Sequence, residues 1–325
     1  MKKNMKEISF TSIDGIRVGH AEDTKAATGC TVIICEEGAT AGVDVRGGSP
    51  GTRETDLLDP KNLVDKVHAV LLAGGSAFGL DAASGVMKYL EERDIGFDVQ
   101  LTKVPIVCGA VLFDLAVGDY RVRPDFNMGY EACLKARDEE CPSGNVGAGT
   151  GASVGKFLGM ERAMKGGLGS YGLQIGDLKV GSIVAVNALG DIIDPESGEI
   201  LAGLLDEEGK RLVGTENIMA ASYSERKNIF SGNTTIGLVV TNGIFTKAEA
   251  NKIASMAHNG YARSIRPAHS IFDGDTIFTM ATGRVEADIN VVGFLAARTM
   301  ERAVVNAIKS AESAYGLKAH RDLSL

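Results

Sequence analysis

The sequence predicts an α/β domain in which helices cover the faces of a sheet. Three observations lead there. Apolar runs of strand length recur along the chain: CTVIICE at 30–36, VHAVLLA at 67–73, the run 181–188 and IGLVVTNG at 236–243. Longer segments between and after them space their apolar residues at helical intervals. Glycine contributes 41 of 325 residues, nearly twice the usual share of about 7%. With only 7 prolines, this is not a disordered Pro/Gly linker. Glycines set between Val, Ile and Ala runs imply tight turns and close backbone approach.

The elements follow in order. Residues 8–20 read as two strands joined at Asp14-Gly15, a hairpin-type dipeptide. The strands 30–36 and 67–73 are linked by a polar connection holding Gly47-Gly48-Ser49-Pro50-Gly51-Thr52. Gly74-Gly75-Ser76-Ala77-Phe78-Gly79 then leads into a helix over 80–93, with Leu80, Ala83, Val86, Met87 and Leu90 on one face. Ser76 is placed as its N-cap or as a backbone contact. A second helix spans 128–140 and stops before Pro142. GNVGAGTGASVGK (144–156) and KGGLGS (165–170) precede the strand 181–188. Residues 190–229 are more charged and read as a surface excursion. Strand 236–243 is followed by a helix over 246–262, with Ala250, Ile253, Ala254 and Ala257 inward. A last helix over about 288–313 carries Val291, Phe294, Leu295, Met300, Val304 and Ile308. No repeat of solenoid period occurs.

Composition excludes several function classes. A net charge of −8 and a pI near 5.3 argue against a nucleic-acid partner. Trp is absent and aromatics are only 6%, so stacking platforms for single strands are not expected. No apolar stretch approaches the roughly 20 residues that span a bilayer, and MKKNMKEISF lacks the apolar core of a signal peptide. The five cysteines, Cys30, Cys35, Cys108, Cys133 and Cys141, are odd in number and form no C-x-x-C. They read as reduced thiols of a cytoplasmic protein.

The glycine-rich loops do not fit a cofactor. A phosphate-binding Walker loop ending at Gly155-Lys156 needs Gly at 150, which is Thr150. A dinucleotide fingerprint from Gly147 reaches Ala152, and the preceding residues RDEECPSGN are no strand. Ser76 lacks the Gly at 78 that a nucleophile elbow requires, since Phe78 stands there. His20, His68, His258, His269 and His320 show no zinc-ligand spacing, so neither metal nor organic cofactor is expected.

Ser231-Gly232-Asn233-Thr234-Thr235, just before a strand, reads as letters alone as a turn. It also holds a reactive possibility. A threonine hydroxyl is a poor nucleophile unless a base lies within hydrogen-bond reach, and an N-terminal threonine carries its own amine for that purpose. Self-cleavage between Asn233 and Thr234 would create such a residue, and Gly232 permits the tight geometry this needs. Asp273-Gly274-Asp275 is likewise an ordinary turn or a weak cation loop in isolation. Two carboxylates near one ammonium can also orient it and tune its proton transfer.

Taken together, these elements resemble the DmpA-type aminopeptidases and their relatives, the NylC-type nylon-oligomer hydrolases. The resemblance runs in order through Gly15-Ile16-Arg17-Val18-Gly19-His20, LLAGGSAFGLDAASGV (71–86), 144–156 with 165–170, Val184-Ala185-Val186-Asn187, GNTTIGLVVTN (232–242) and DGDTIF (273–278). It implies a four-layer αββα sandwich similar to N-terminal nucleophile hydrolases. It also implies one self-processed domain over 1–325, cut into chains 1–233 and 234–325. Thr234 would be the nucleophile and, through its freed amine, the base. Asn187 matches the oxyanion-stabilising asparagine. Asp273 and Asp275 match the pair that contacts the threonine in the NylC branch, and Lys156 matches a site lysine that tunes the amine or polarises the oxyanion. In the segment 111–119, where the family often has a tyrosine, this chain has Leu112-Phe113.

The expected activity is hydrolysis of small amides through an acyl-enzyme. Substrates would be N-terminal residues of short peptides or ω-amino-acid oligomers such as 6-aminohexanoate chains. The expected assembly is a homo-oligomer, a tetramer of processed units, with no nucleic-acid or membrane partner. The rivals are acyl transfer similar to that of the ornithine acetyltransferases and an uncleaved ligand-binding scaffold.

Overall fold

A computed structural model describes residues 5–139, 141–223 and 232–323. Among these, ten strands form one sheet: β1 (Met5–Ile8), β2 (Arg17–Asp23), β3 (Thr28–Val45), β4 (Thr52–Arg53), β5 (Lys66–Ala73), β6 (Val107–Val111), β7 (Gly167–Ile175), β8 (Leu178–Val186), β9 (Ile236–Gly243) and β10 (Thr276–Val285). The order is β1-β7-β8-β9-β10-β3-β5-β6-β4, with β2 also paired to β3. The helices are α1 (Ala82–Glu91), α2 (Phe126–Leu134), α3 (Thr215–Ala221), α4 (Lys247–Ser264) and α5 (Ile289–Ser310).

The strand β3 folds this sheet in two. Its first half pairs with β2 and β5, and its end, from Thr40, pairs with β10. The register against β5 shifts between Ile34 and Ala39, around Gly38 at φ +72°. An irregularity there bends the strand. The two halves then face each other across one core. Side-chain alternation shows it. Ile33, Val70, Leu72, Ile183, Leu238, Val240, Phe278 and Met280 meet between the halves. Val184, Val186, Val239 and Ile277 point the other way, onto α4 and α5. Val32, Ile34, Leu71 and Val107 point outward onto α1 and α2. The result is the expected αββα sandwich.

The long helices have defined starts. Thr246 and Glu249 form a capping box on α4. Asp288 accepts from the N–H groups of Asn290 and Val291 at the start of α5. Among the described residues no helix is long and apolar enough to cross a membrane. All five cysteines are free, and four are buried.

Several local expectations change. Residues 8–20 are not a hairpin: β1 pairs with β7 and β2 with β3, so Asp14-Gly15 joins strands with different partners. The strand expected over 30–36 is the middle of the 18-residue β3. Ser76 is not an N-cap. It begins a 3₁₀ turn, Ser76–Asp81, with φ +53° and no side-chain cap bond, and Gly75 precedes it. The second helix is Phe126–Leu134, because Arg137 pairs with Val18 instead of continuing it. Within 190–229, the short strands Asp191–Ile193 and Ile200–Ala202 and α3 bury Ile192, Leu201, Leu204 and Leu205. Residue 140, residues 224–229 and Ser231 lie outside the described residues. Phe294 is 45% exposed on α5.

Topology gathers the singled-out residues at one end. Parallel β9 and β10 start side by side, and Asn233 bridges Asp273. Antiparallel β8 ends beside the start of β9, with Ala185 opposite Ile236, which delivers Asn187. From the other half, β5 and β6 end in parallel at Ala73 and Val111. The turns after them reach the same cavity.

Candidate active site

Thr234 is 5% exposed at the head of β9. Its N–H donates to the Asn187 carbonyl at 2.9 Å. Its hydroxyl lies against the carbonyl oxygen of Asn233. That same oxygen accepts the Gly274 N–H at 3.0 Å. The scissile candidate thus has a hydroxyl beside it and an amide donor already on its oxygen. Glycine is required at both flanks. A Cβ at Gly274 would stand 2.7 Å from Thr234 Oγ1, and one at Gly232 would stand 2.1 Å from Phe113 Cγ.

Asn187 is wholly buried. Its side-chain oxygen accepts from Lys156 Nζ at 2.8 Å and from the Ser153 N–H at 3.0 Å. Its Nδ2 donates to the Phe113 carbonyl at 3.0 Å. The donor expected to face the oxyanion therefore rests on Phe113 in the continuous chain. Lys156 is 2% exposed, not a solvated loop residue. Its Nζ donates to Asn187 Oδ1, the Asn187 carbonyl at 3.1 Å and the Gly232 carbonyl at 3.3 Å. Burial pulls its ammonium down to about 7, against the opposing pull of Asp273 and Asp114.

The two aspartates are inequivalent. Burial, then the neighbouring Asp275, pushes Asp273 up to about 6. Its Oδ2 accepts the Ser270 N–H at 2.7 Å. Both oxygens of Asp275 are engaged: Oδ1 by the Thr235 N–H at 2.8 Å, and Oδ2 by the N–H and Nδ1 of His269 at 3.0 and 2.9 Å. Asp275 therefore anchors the head of β9 to the loop of His269, while Asp273, pushed up to about 6, can change protonation not far below neutral pH.

Two cavities flank Phe113 and Gly232. One, of about 230 Å³, is lined by Thr234, Ser49, Ser76, Leu112, Phe113 and Phe272 among others. The other, of about 220 Å³, is lined by Lys156, Ser153, Phe113, Val117 and Met160 among others. Phe113, from the segment in which the resemblance led to a tyrosine being expected, lines both cavities. Among the described residues, no group of three or more His, Cys, Asp or Glu is arranged to hold a metal.

Several contributors escaped the sequence. Buried Asp114 accepts from the Gly75 N–H and the Thr28 hydroxyl, both at 2.7 Å, and so fixes the turn carrying Ser76. Lys165 is fully buried and donates to the carbonyls of Gly149, Ala152 and Gly166, so it holds the loop that carries Ser153 and Lys156. His269 had one available signal, its place six residues before Asp275.

Comparison with known proteins decides the class. The model of peptidase family S58 matches residues 9–322. The chain belongs to peptidase family S58. It is 43% identical to an uncharacterized aminopeptidase of Mycobacterium leprae, over 95% of this chain and 92% of that one. A 6-aminohexanoate-oligomer endohydrolase of Agromyces sp. is 32% identical over 94% of this chain and 87% of that one. Among solved structures, an L-aminopeptidase D-Ala-esterase/amidase of Ochrobactrum anthropi, described as a variant of the Ntn-hydrolase fold, superposes with a TM-score of 0.72. It shares 18% identity and covers 96% of this chain and 91% of that one. A Burkholderia sp. beta-aminopeptidase gives 0.70 at 18% identity, over 98% and 94%. This S58 member is an amide-bond hydrolase of the Ntn-hydrolase fold.

Proposed function

We propose that this S58 hydrolase cuts itself between Asn233 and Thr234 and then uses Thr234 as an N-terminal nucleophile. The observation that carries the proposal is the Thr234 hydroxyl set against the Asn233 carbonyl, whose oxygen already accepts the Gly274 N–H. In the cleavage step the Thr234 oxygen attacks that carbonyl carbon. The Gly274 N–H stabilises, by the hydrogen bond it donates, the negative charge forming on the carbonyl oxygen. The C–N bond then breaks, the nitrogen takes the proton lost by the hydroxyl, and an ester links Asn233 to Thr234. Water hydrolyses the ester and leaves chains 1–233 and 234–325. The new α-amine remains beside the Asn187 carbonyl. Amines of this kind titrate near 8, and the neighbouring Lys156 ammonium disfavours their charged form by like charge.

In turnover the neutral amine accepts the hydroxyl proton as the oxygen attacks a substrate amide. The proton passes to the departing amine, and water then releases the acyl group. Asn187 Nδ2, held in place by Phe113, supplies a donor to the intermediate, with Lys156 behind it. Asp273 tunes the proton inventory. The cavity of about 230 Å³ suits an acyl part of roughly one residue. The substrates are short peptides cut at their N-terminal residue, or ω-amino-acid oligomers such as 6-aminohexanoate chains. Processed units assemble as a cytoplasmic homo-oligomer, a tetramer, which light scattering checks.

Incubating purified protein with amino-acid p-nitroanilides, a 6-aminohexanoate oligomer, and N-acetylornithine with glutamate separates the readings. Hydrolysis of either amide class supports the proposal. Acetyl transfer without hydrolysis supports a transferase. No turnover by an intact chain supports a binding scaffold.

A further inference from the structure

Behind the nucleophile, between the sheet and α4, lies a polar cluster that the chemistry above does not use. His269 comes from the loop before β10, and His258 and Tyr261 come from α4. The rings of His258 and His269 meet edge to face, with centroids 4.8 Å apart, and Tyr261 packs on His258 at 5.4 Å. His258 is wholly buried, and its Nε2 donates to the Asp44 carbonyl at 2.9 Å. His269 stands at φ +59°, a left-handed conformation that is uncommon and usually costs energy outside glycine and, to a lesser degree, asparagine and aspartate. Strain of this kind persists only where surrounding contacts over-determine it. Here both the backbone N–H and Nδ1–H of His269 converge on one oxygen, Oδ2 of Asp275. The left-handed turn is what lets both donors face the same acceptor. A carboxylate only accepts, so Nδ1 carries the hydrogen.

The other oxygen of Asp275 accepts the Thr235 N–H, the amide immediately after the nucleophile. One carboxylate thus ties the strained His269 to the backbone that carries Thr234. We infer that His269 is a positioning residue for Thr234: acting through Asp275, it fixes the head of β9 so that the hydroxyl keeps its approach to the reacting carbonyl. His258 and Tyr261 form the buried wall that sets the ring of His269. This inference rests on Thr234 as the nucleophile.

The test compares His269→Asn, His269→Gly and Thr234→Ala, each assayed for self-cleavage rate, kcat and KM beside a thermal melt. Asn tolerates positive φ and places an amide donor near the position of Nδ1. Gly relieves the backbone strain and removes the donor. A displaced reacting group costs up to about 100-fold in rate. The expected result is that His269→Gly loses about 10- to 100-fold in kcat and in cleavage rate, with KM changed less than about twofold, and that His269→Asn restores most of both. Retention of kcat by a folded His269→Gly, or failure of His269→Asn to rescue while its melt matches the parent, overturns the inference. Activity retained by Thr234→Ala would instead overturn the nucleophile itself, so the two failures are distinguishable.

Discussion

The two halves of the folded sheet bring different things to the same end of the molecule. The half built from β7 to β10 contributes buried charge and backbone polarity: Asn187, Thr234, Asp273 and Asp275 all sit at strand ends there. The half built from β2 to β6 contributes walls: Ser76, Leu112 and Phe113, on turns held by Asp114. Lys156 reaches between them from the glycine-rich loop. The difference teaches that reactivity and shape are carried on separate supports. Substitutions on the first half should strike the rate, and substitutions on the second should strike substrate choice.

The sharpest way to break that division is at Thr234. Thr234→Ala should abolish self-cleavage and lower turnover by at least about 10⁴-fold, as removing a nucleophile does. Chain integrity on a denaturing gel and an amide-hydrolysis assay check it. Next comes Lys156→Met, which removes three donors and the charge beside the Thr234 nitrogen; Nζ and that nitrogen meet at the Asn187 carbonyl. Turnover should fall by about 10²- to 10³-fold, with the fold retained on a thermal melt.

Asp273→Asn sharpens the contrast between the two carboxylates. In the parent, activity should fall as pH drops through about 6, where Asp273 takes a proton. The asparagine variant should lose that acid limb and about 10-fold or more in rate, read from a pH–rate profile. The stability sign is also fixed. The folded value of Asp273 lies above its ordinary one, so the folded state binds the extra proton between about 4 and 6. This group's contribution to stability is present at low pH and is lost as pH rises through about 6.

The smallest effect belongs to the wall. Phe113→Ala should leave self-cleavage running and shift KM or substrate preference by about 10-fold, measured across p-nitroanilides of different side chains. A rate collapse as deep as that of Lys156→Met would erase the proposed division.

Much of this arrangement was legible in the sequence, and the failures have physical causes. β5 and β9 are continuous apolar runs buried on both faces, a pattern that survives without context. α4 and α5 carry caps and helical spacing. The sandwich class came from the ordered motifs. The 8–20 hairpin failed because Met5–Ile8 finds its partner in β7, at Gly172–Ile175, about 165 positions away, and no local pattern encodes that pairing. β3 was cut short because the exposed Glu36-Glu37 looks like a strand end, although the backbone bends there and continues. The sequence singled out Lys156 but showed neither its burial nor that of Lys165, since burial of a lysine depends on carbonyls brought from other segments. His269 was missed because its value lies in a left-handed turn and a single carboxylate oxygen.

The central claim is that this chain makes its own N-terminal threonine. Intact-protein mass measurement with N-terminal sequencing, on freshly purified and on incubated protein, tests it most directly. Cleavage should replace the 34.1 kDa chain with pieces of about 24 and 10 kDa, the smaller beginning Thr234-Thr235-Ile236-Gly237. A chain that stays whole after prolonged incubation while hydrolysing amides at full rate would contradict the account.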